Sequence, residues 1–291
     1  MVHENKTYIK ELDCFKAELS EKDFKAFSSF IYTEFGIKMP AVKRIMLQGR
    51  LLKRIRSLNM NSYTEYKDYL FSAEGHKEEI FNFLNVVTTN KTDFFREPVH
   101  FDFLNSTVLP NHINGNQSRE AFKIWSAGCS SGEELYTISM ILNEFKRSNV
   151  SFNYSMLGTD ISKNVLSKAA RGVYPFNKVD IVPLDLKRKY FLKSKDKENP
   201  TVKVQSELQR NLNLKFLNLM DSSYSNITEK FDVIFCRNVL IYFDRATQEA
   251  VINKLSMHLK VGGFFFIGHS ESLTGMDVPL EHIKPTIFRK K

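Results

Sequence analysis

The densest chemistry in this chain lies at residues 123–136, KIWSAGCSSGEELY. A short apolar run enters a turn holding Gly128 and Gly132, and a helix then opens on Glu133 and Glu134. Glycine lets backbone approach a ligand closely, and a helix start offers unpartnered N–H groups, so strand, turn and helix together make a nucleotide-type site. Two carboxylates in the first turn would repel a phosphate. They suit a cationic or hydroxyl-bearing ligand, and S-adenosylmethionine carries a sulfonium, an ammonium and a ribose. The turn therefore points to a methyltransferase.

Asp160 closes a second apolar run in LGTDIS. An acid there can accept hydrogen bonds from both ribose hydroxyls; the competing role is a helix N-cap. The turn is not GxGxxG, which speaks against a dinucleotide. Residues 88–98, TTNKTDFFREP, are polar, then aromatic, then basic. Phe94 and Phe95 read as core anchors. Thr92 and Arg96 are four apart and share a face if this loop is helical, and an Arg there can hold a carboxylate bidentately. Residues 231–244, FDVIFCRNVLIYFD, form an apolar strand ending in Cys-Arg-Asn. Ligands of open α/β sheets sit at the carboxyl ends of strands, so Arg237, Asn238 and Tyr242 should face the site; Tyr242 competes with a simple packing role. The (D/N)PP(Y/F) loop of amino-methylating nucleic-acid enzymes is absent. His269 and Glu271 in GHSES are expected to be structural. Ser130 and Ser131 lie outside any GxSxG elbow, which disfavours a hydrolase.

Residues 38–56 hold Lys38, Lys43, Arg44, Arg50, Lys53, Arg54 and Arg56, and no acid occurs between Gly36 and Thr64. On a helix Arg50, Lys53 and Arg54 cluster by i, i+3, i+4 spacing, while Leu51, Ile55 and Leu58 form a separate apolar face. The bland alternative is a solvated basic face. The missing counter-charge favours a docking surface for an anionic partner.

These residues need a frame. Residues 8–85 read as helical, with helices expected at 20–35, 40–58 and 62–71 and a linker at 72–79. From residue 120 strands alternate with helices, as in a doubly wound α/β sheet. Strands are expected at 123–127, 154–159, 214–217, 231–236, 263–268 and 286–289. Residues 184–215 read as a β insertion of two or three strands. The domains expected are 1–78, helical, and 79–291, α/β.

Length and balance fit this frame: 291 residues, 42% hydrophobic, 26% charged, net charge +9. The positive balance favours an acidic partner. Cys14, Cys129 and Cys236 fit neither a disulfide framework nor a zinc site, and no metal is expected. The N-terminus lacks a signal-peptide core and no apolar run can span a bilayer, so a cytoplasmic setting without membrane insertion is expected.

TTNKTDFFRE, WSAGCSSGEELY, GTDIS, NLM, FDVIFCRNVLIYFD and FFFIGHSES, in that order, resemble the bacterial chemotaxis receptor methyltransferases, S-adenosylmethionine-dependent protein-glutamate O-methyltransferases. The resemblance covers nearly the whole chain. It implies an all-α N-terminal domain, then a Rossmann-like methyltransferase domain carrying a small β subdomain. It implies cofactor contacts from Asn90, Thr92, Arg96, Glu133, Asp160, Asn218, Leu219, Asn238 and Val239, with Arg96 and Tyr242 beside the methyl group. S-adenosylhomocysteine would be the product. The basic helix matches the surface that docks on cytoplasmic helices of membrane chemoreceptors. In some members the β subdomain also grips a tethering peptide at the receptor C-terminus through a glycine-containing loop; here SKDKENPT has no glycine. The competing functions are a non-catalytic S-adenosylmethionine sensor that docks a receptor, a nucleic-acid methyltransferase, which the missing loop disfavours, and a nicotinamide oxidoreductase.

Overall fold

The computed structural model describes residues 18–114 and 120–291. Cys14 and residues 8–17 of the expected helical stretch lie outside them. The chain divides into two compact units, Met1–Thr89 and Asn90–Lys291.

The first unit is helical: α1 (Glu21–Phe35), α2 (Arg44–Ser57), α3 (Tyr63–Phe71) and α4 (Ala73–Val87). Ser20 starts α1 by accepting the Asp23 N–H at 3.0 Å, and Gly36 ends it in the left-handed conformation. Phe24, Phe27, Ile31 and Phe35 of α1 are buried, as are Leu47, Leu51 and Ile55 of α2. Phe27 and Phe83 stack with ring centroids 5.9 Å apart.

The expected linker at 72–79 is instead the first half of α4. Ser72 ends α3 and caps α4, its hydroxyl accepting the Gly75 N–H at 3.0 Å. Gly75 there is a packing glycine: a Cβ on it would lie 2.6 Å from the Tyr69 carbonyl carbon. It admits the end of α3 against the start of α4 rather than loosening the chain.

The second unit carries α5 (Val99–Phe103), which continues through a π-helical turn into α6 (Leu109–Asn114). Then come β1 (Phe122–Ala127), α7 (Glu133–Ser148), β2 (Tyr154–Asp160), α8 (Lys163–Arg171), β3 (Val173–Pro175), α9 (Leu184–Tyr190), β4 (Phe191–Lys193), β5 (Thr201–Val204), α10 (Ser206–Gln209) and β6 (Leu212–Phe216). The chain closes with β7 (Phe231–Cys236), α11 (Arg245–Met257), β8 (Leu259–Ile267), β9 (Leu280–Lys284) and β10 (Ile287–Lys290).

The main sheet has the order β6-β2-β1-β7-β8-β10-β9. The pairs β6·β2, β2·β1, β1·β7 and β7·β8 are parallel, and β10 runs antiparallel to both neighbours. β7 is buried throughout, as a central parallel strand covered on both faces must be. Strand order reverses at β1: β2 and β6 lie on one side, β7 and β8 on the other. The crevice at the carboxyl ends of β1 and β7 is thus the switch point of this sheet.

The β subdomain is a separate sheet, β3-β5-β4. It runs from Val173 to Val204 rather than over 184–215. β3 is too short to show a period, and β6, the strand expected at 214–217, pairs with β2 in the main sheet and so ends the insertion before it. β9 was not expected either; its exposed, polar residues carry little strand signal. The 194–201 loop closes without glycine because Asp196 Oδ1 accepts the N–H groups of Glu198 (2.9 Å) and Asn199 (3.1 Å).

Candidate active site

β1 delivers the chain to Gly128, whose φ of +80° a side chain would rarely adopt and whose Cβ would collide with Val239. The turn is tied to β2 by Gly128 and Cys129 N–H groups on the Thr159 carbonyl, at 2.8 and 2.9 Å. Gly132, at φ +96°, then opens α7. Glu133, its first residue, is buried, and Ser131 donates a hydroxyl to it at 2.7 Å. Burial pushes the Glu133 carboxyl up, against that hydrogen bond and the nearby Lys178 charge.

Asp160 ends β2 with its carboxylate buried. Oδ2 accepts the Ser130 N–H and Oδ1 the Ser162 N–H, each at 2.9 Å. Burial raises its pKa while these backbone donors oppose the rise. The N-cap role falls to Ser162, which accepts the Val165 N–H at 3.3 Å. Asp160 instead braces the glycine turn, and each oxygen keeps lone-pair capacity. Asn218 and Leu219 lie beside it, for the Leu217 N–H bonds the Asp160 carbonyl at 3.1 Å. Lys254 donates to the Leu219 carbonyl at 2.7 Å and holds that turn in place.

Residues 90–98 are a turn rather than a helix, with Phe95 at φ +51° and Glu97 at +59°. The helical face expected for Thr92 and Arg96 therefore does not exist. The loop is held from outside instead. Ser130 donates to the Asn90 carbonyl at 3.1 Å, and Lys178 to the Thr92 carbonyl at 3.2 Å and Asp93 at 2.7 Å. Phe95 N–H bonds Thr137 of α7 at 3.1 Å. Phe94 is buried against Tyr174 and Phe191 of the β subdomain, with ring centroids 5.1 and 5.5 Å away. The β subdomain is thereby a wall of the site. Arg96 donates to the Lys91 carbonyl at 3.0 Å, its side chain one-third exposed.

The far wall is the end of β7. Arg237 is buried and serves as a brace, donating to Glu134 at 2.9 Å, to Glu97 at 3.0 Å and to the Arg96 carbonyl. Its expected role as a residue facing the ligand gives way to joining three loops. Asn238 Nδ2 donates to Glu97 Oε1 at 3.2 Å. Burial alone would raise the Glu97 carboxyl, but Arg237, Asn238 and the His269 backbone N–H outweigh it and hold the pKa low. Glu271 accepts the Asn238 N–H at 3.0 Å and the Ile241 N–H at 3.3 Å, so it is structural, as expected. Tyr242 lies half-buried on the 3-10 turn Leu240–Tyr242 that this carboxylate supports.

Asn90, Thr92, Arg96, Asn218, Leu219, Asn238 and Val239 thus lie on loops round the switch point, with Glu133 at the start of α7 and Asp160 at the end of β2. Glu97, Thr137 and Lys178 join them without having been expected. FFRE hinted at Glu97, but a left-handed Glu has no sequence signature. Among the described residues Glu97, His100 and His269 also stand close enough to hold a metal ion, though Glu97 is already engaged by Arg237 and Asn238.

The basic helix is corrected in part. Arg54 pairs with Glu79 of α4 through two hydrogen bonds, 2.6 and 2.7 Å, and Tyr66 donates to the same carboxylate at 3.0 Å. Arg50 donates to the Val87 carbonyl and, at 2.8 Å, to Thr89. Both are internal braces. The missing counter-charge is supplied 25 residues downstream by another helix. Lys53 alone of the three is exposed.

A Rossmann-like sheet, a glycine turn carrying acids and a braced crevice at the switch point define a methyltransferase that uses S-adenosylmethionine. Residues 90–288 match the CheR methyltransferase SAM binding domain, and residues 22–88 its all-alpha domain. The chain belongs to the CheR methyltransferase family. It is 38% identical to a chemotaxis protein methyltransferase of Borreliella burgdorferi, covering 94% of this chain and 95% of the relative. The Escherichia coli protein of that description is 35% identical over 89% of this chain and 87% of its own length. Chemotaxis protein methyltransferase 2 of Pseudomonas aeruginosa is 32% identical over 92% and 93%.

Proposed function

We propose that this enzyme transfers the methyl group of S-adenosylmethionine to glutamate side chains of membrane chemoreceptors, in the cytoplasm, forming the methyl esters of chemotactic adaptation. The observation that carries the reading is the pair of buried carboxylates, Glu133 and Asp160, flanking one glycine turn. That donor set fits a ligand with a positive charge and ribose hydroxyls and is hostile to a phosphate. Glu133 would meet the charged end and Asp160 the ribose, with Asn90, Thr92, Asn218, Leu219, Asn238 and Val239 completing the pocket.

When bound, the cofactor supplies a methyl group on a sulfonium, which a carboxylate oxygen can displace. A glutamate is ionised at neutral pH, so no general base is required of the protein. Its work is to position and desolvate. Arg96 would grip the substrate carboxylate and Tyr242 would orient it. Lys53 remains an exposed cation for docking on acidic receptor helices, while the edge strands β3 and β4 are where an extended tethering peptide would add.

The test is to incubate the protein with methyl-labelled S-adenosylmethionine and chemoreceptor membranes, then treat with alkali. Volatile label is expected from the receptor band, as a carboxyl ester requires. Arg96→Ala should lower kcat about 100-fold. Undiminished turnover would remove Arg96 from the mechanism.

A further inference from the structure

Asn238 has a side chain whose polarity the fold itself decides. Its amide nitrogen faces Glu97 Oε1 at 3.2 Å. An ionised carboxylate accepts and never donates, and Glu97 is held in that form by Arg237 at 3.0 Å on its other oxygen. The Asn238 amide must therefore turn its NH2 to Glu97 and its carbonyl oxygen away. Gly268, the residue after β8, closes on that same amide nitrogen: a Cβ there would collide with Nδ2 and stand 2.9 Å from both the Cγ and the backbone N of Asn238. Glu97 (φ +59°) is held in the left-handed region that non-glycine residues other than Asn and Asp avoid, and Asn238 (φ +58°) occupies it as an asparagine can. Such strain persists where surrounding structure imposes it, often for function.

We propose that Glu97 and Gly268 form a clamp round the Asn238 amide nitrogen that locks the side chain with its carbonyl oxygen presented to the cofactor as an acceptor. Glu97 is then a positioning residue acting through Asn238. This inference rests on Asn238 touching the cofactor, and its test separates the two.

Replacing Glu97 by Gln leaves one acceptor, which Arg237 takes, and turns an NH2 toward position 238. Asn238 must then flip and offer the cofactor a donor. In Glu97→Gln/Asn238→Asp the aspartate can accept from the new amide at position 97 and still present an oxygen to the cofactor. Asn238→Asp alone would set two carboxylates face to face.

S-adenosylhomocysteine affinity of the full chain would be measured by titration calorimetry, with thermal melting to confirm folding. Asn238→Ala, Glu97→Gln, Gly268→Ala and Asn238→Asp should each weaken binding about 10-fold or more. Glu97→Gln/Asn238→Asp should return to within about 3-fold of the parent, and Gly268→Ala/Asn238→Ala should be no weaker than Asn238→Ala. A merely structural Glu97 would not be rescued at position 238, so failure of rescue, or wild-type binding by Glu97→Gln, overturns the clamp. Wild-type binding by Asn238→Ala overturns the cofactor contact instead.

Discussion

At Glu133, burial and function pull in opposite directions. The carboxyl is pushed above its ordinary 4.5 by burial, yet a positively charged ligand needs it ionised. In the unliganded fold, stability tied to the protonated form is present below pH 4.5 and lost as pH rises through the raised value. Cofactor binding has the opposite sign, strengthening as pH rises through that same window. Calorimetric titration of S-adenosylhomocysteine above pH 4.5 should show this rise, and Glu133→Gln should flatten it at a lower affinity. Parallel curves for the two proteins would take Glu133 out of the ligand's reach. Residue types at 133 and 160 were readable because an acid at a strand end or helix start is itself the signal. The brace of Arg237, Glu97 and Glu134 was not readable, since its partners are over 100 residues apart in sequence and meet only when the loop ends converge.

At the scale of elements, α2 shows how charge patterning misleads when one helix is read alone. Its cluster at 50, 53 and 54 splits by partner: Arg54 grips Glu79, only 2% exposed, and Lys53 faces solvent. Removing one member of a buried pair strands the other, so Arg54→Ala should cost about 3 kcal/mol. Lys53→Glu should leave stability within about 0.5 kcal/mol while slowing receptor methylation, more so at low salt. Urea unfolding of both variants beside a methylation assay decides it; equal stability losses would make Arg54 a surface residue. The helices themselves were legible because apolar periodicity and Ser and Gly caps are local. The 72–79 linker was misread because a glycine tolerated for close packing looks the same in sequence as one chosen for flexibility.

At the scale of the whole molecule, two units with separate cores should answer a ligand separately. S-adenosylhomocysteine binds one native unit, and at about 100 times its Kd it adds about 2.7 kcal/mol to it. Scanning calorimetry should move the transition of residues 90–291 up by about 5–10 °C and leave that of residues 22–88 in place. A common shift would mean the two unfold together.

The sequence by itself determined the helical first unit, the parallel core strands, the glycine turn with its acids and the nature of the ligand, because each follows from local geometry or from charge within one turn. Only the tertiary structure decided which cations are free, how Asn238 is turned, where the β subdomain begins and that it walls the site. Those depend on partners distant in the chain, and a hydrogen bond or ion pair between such residues exists only once packing has brought them within about 3 Å.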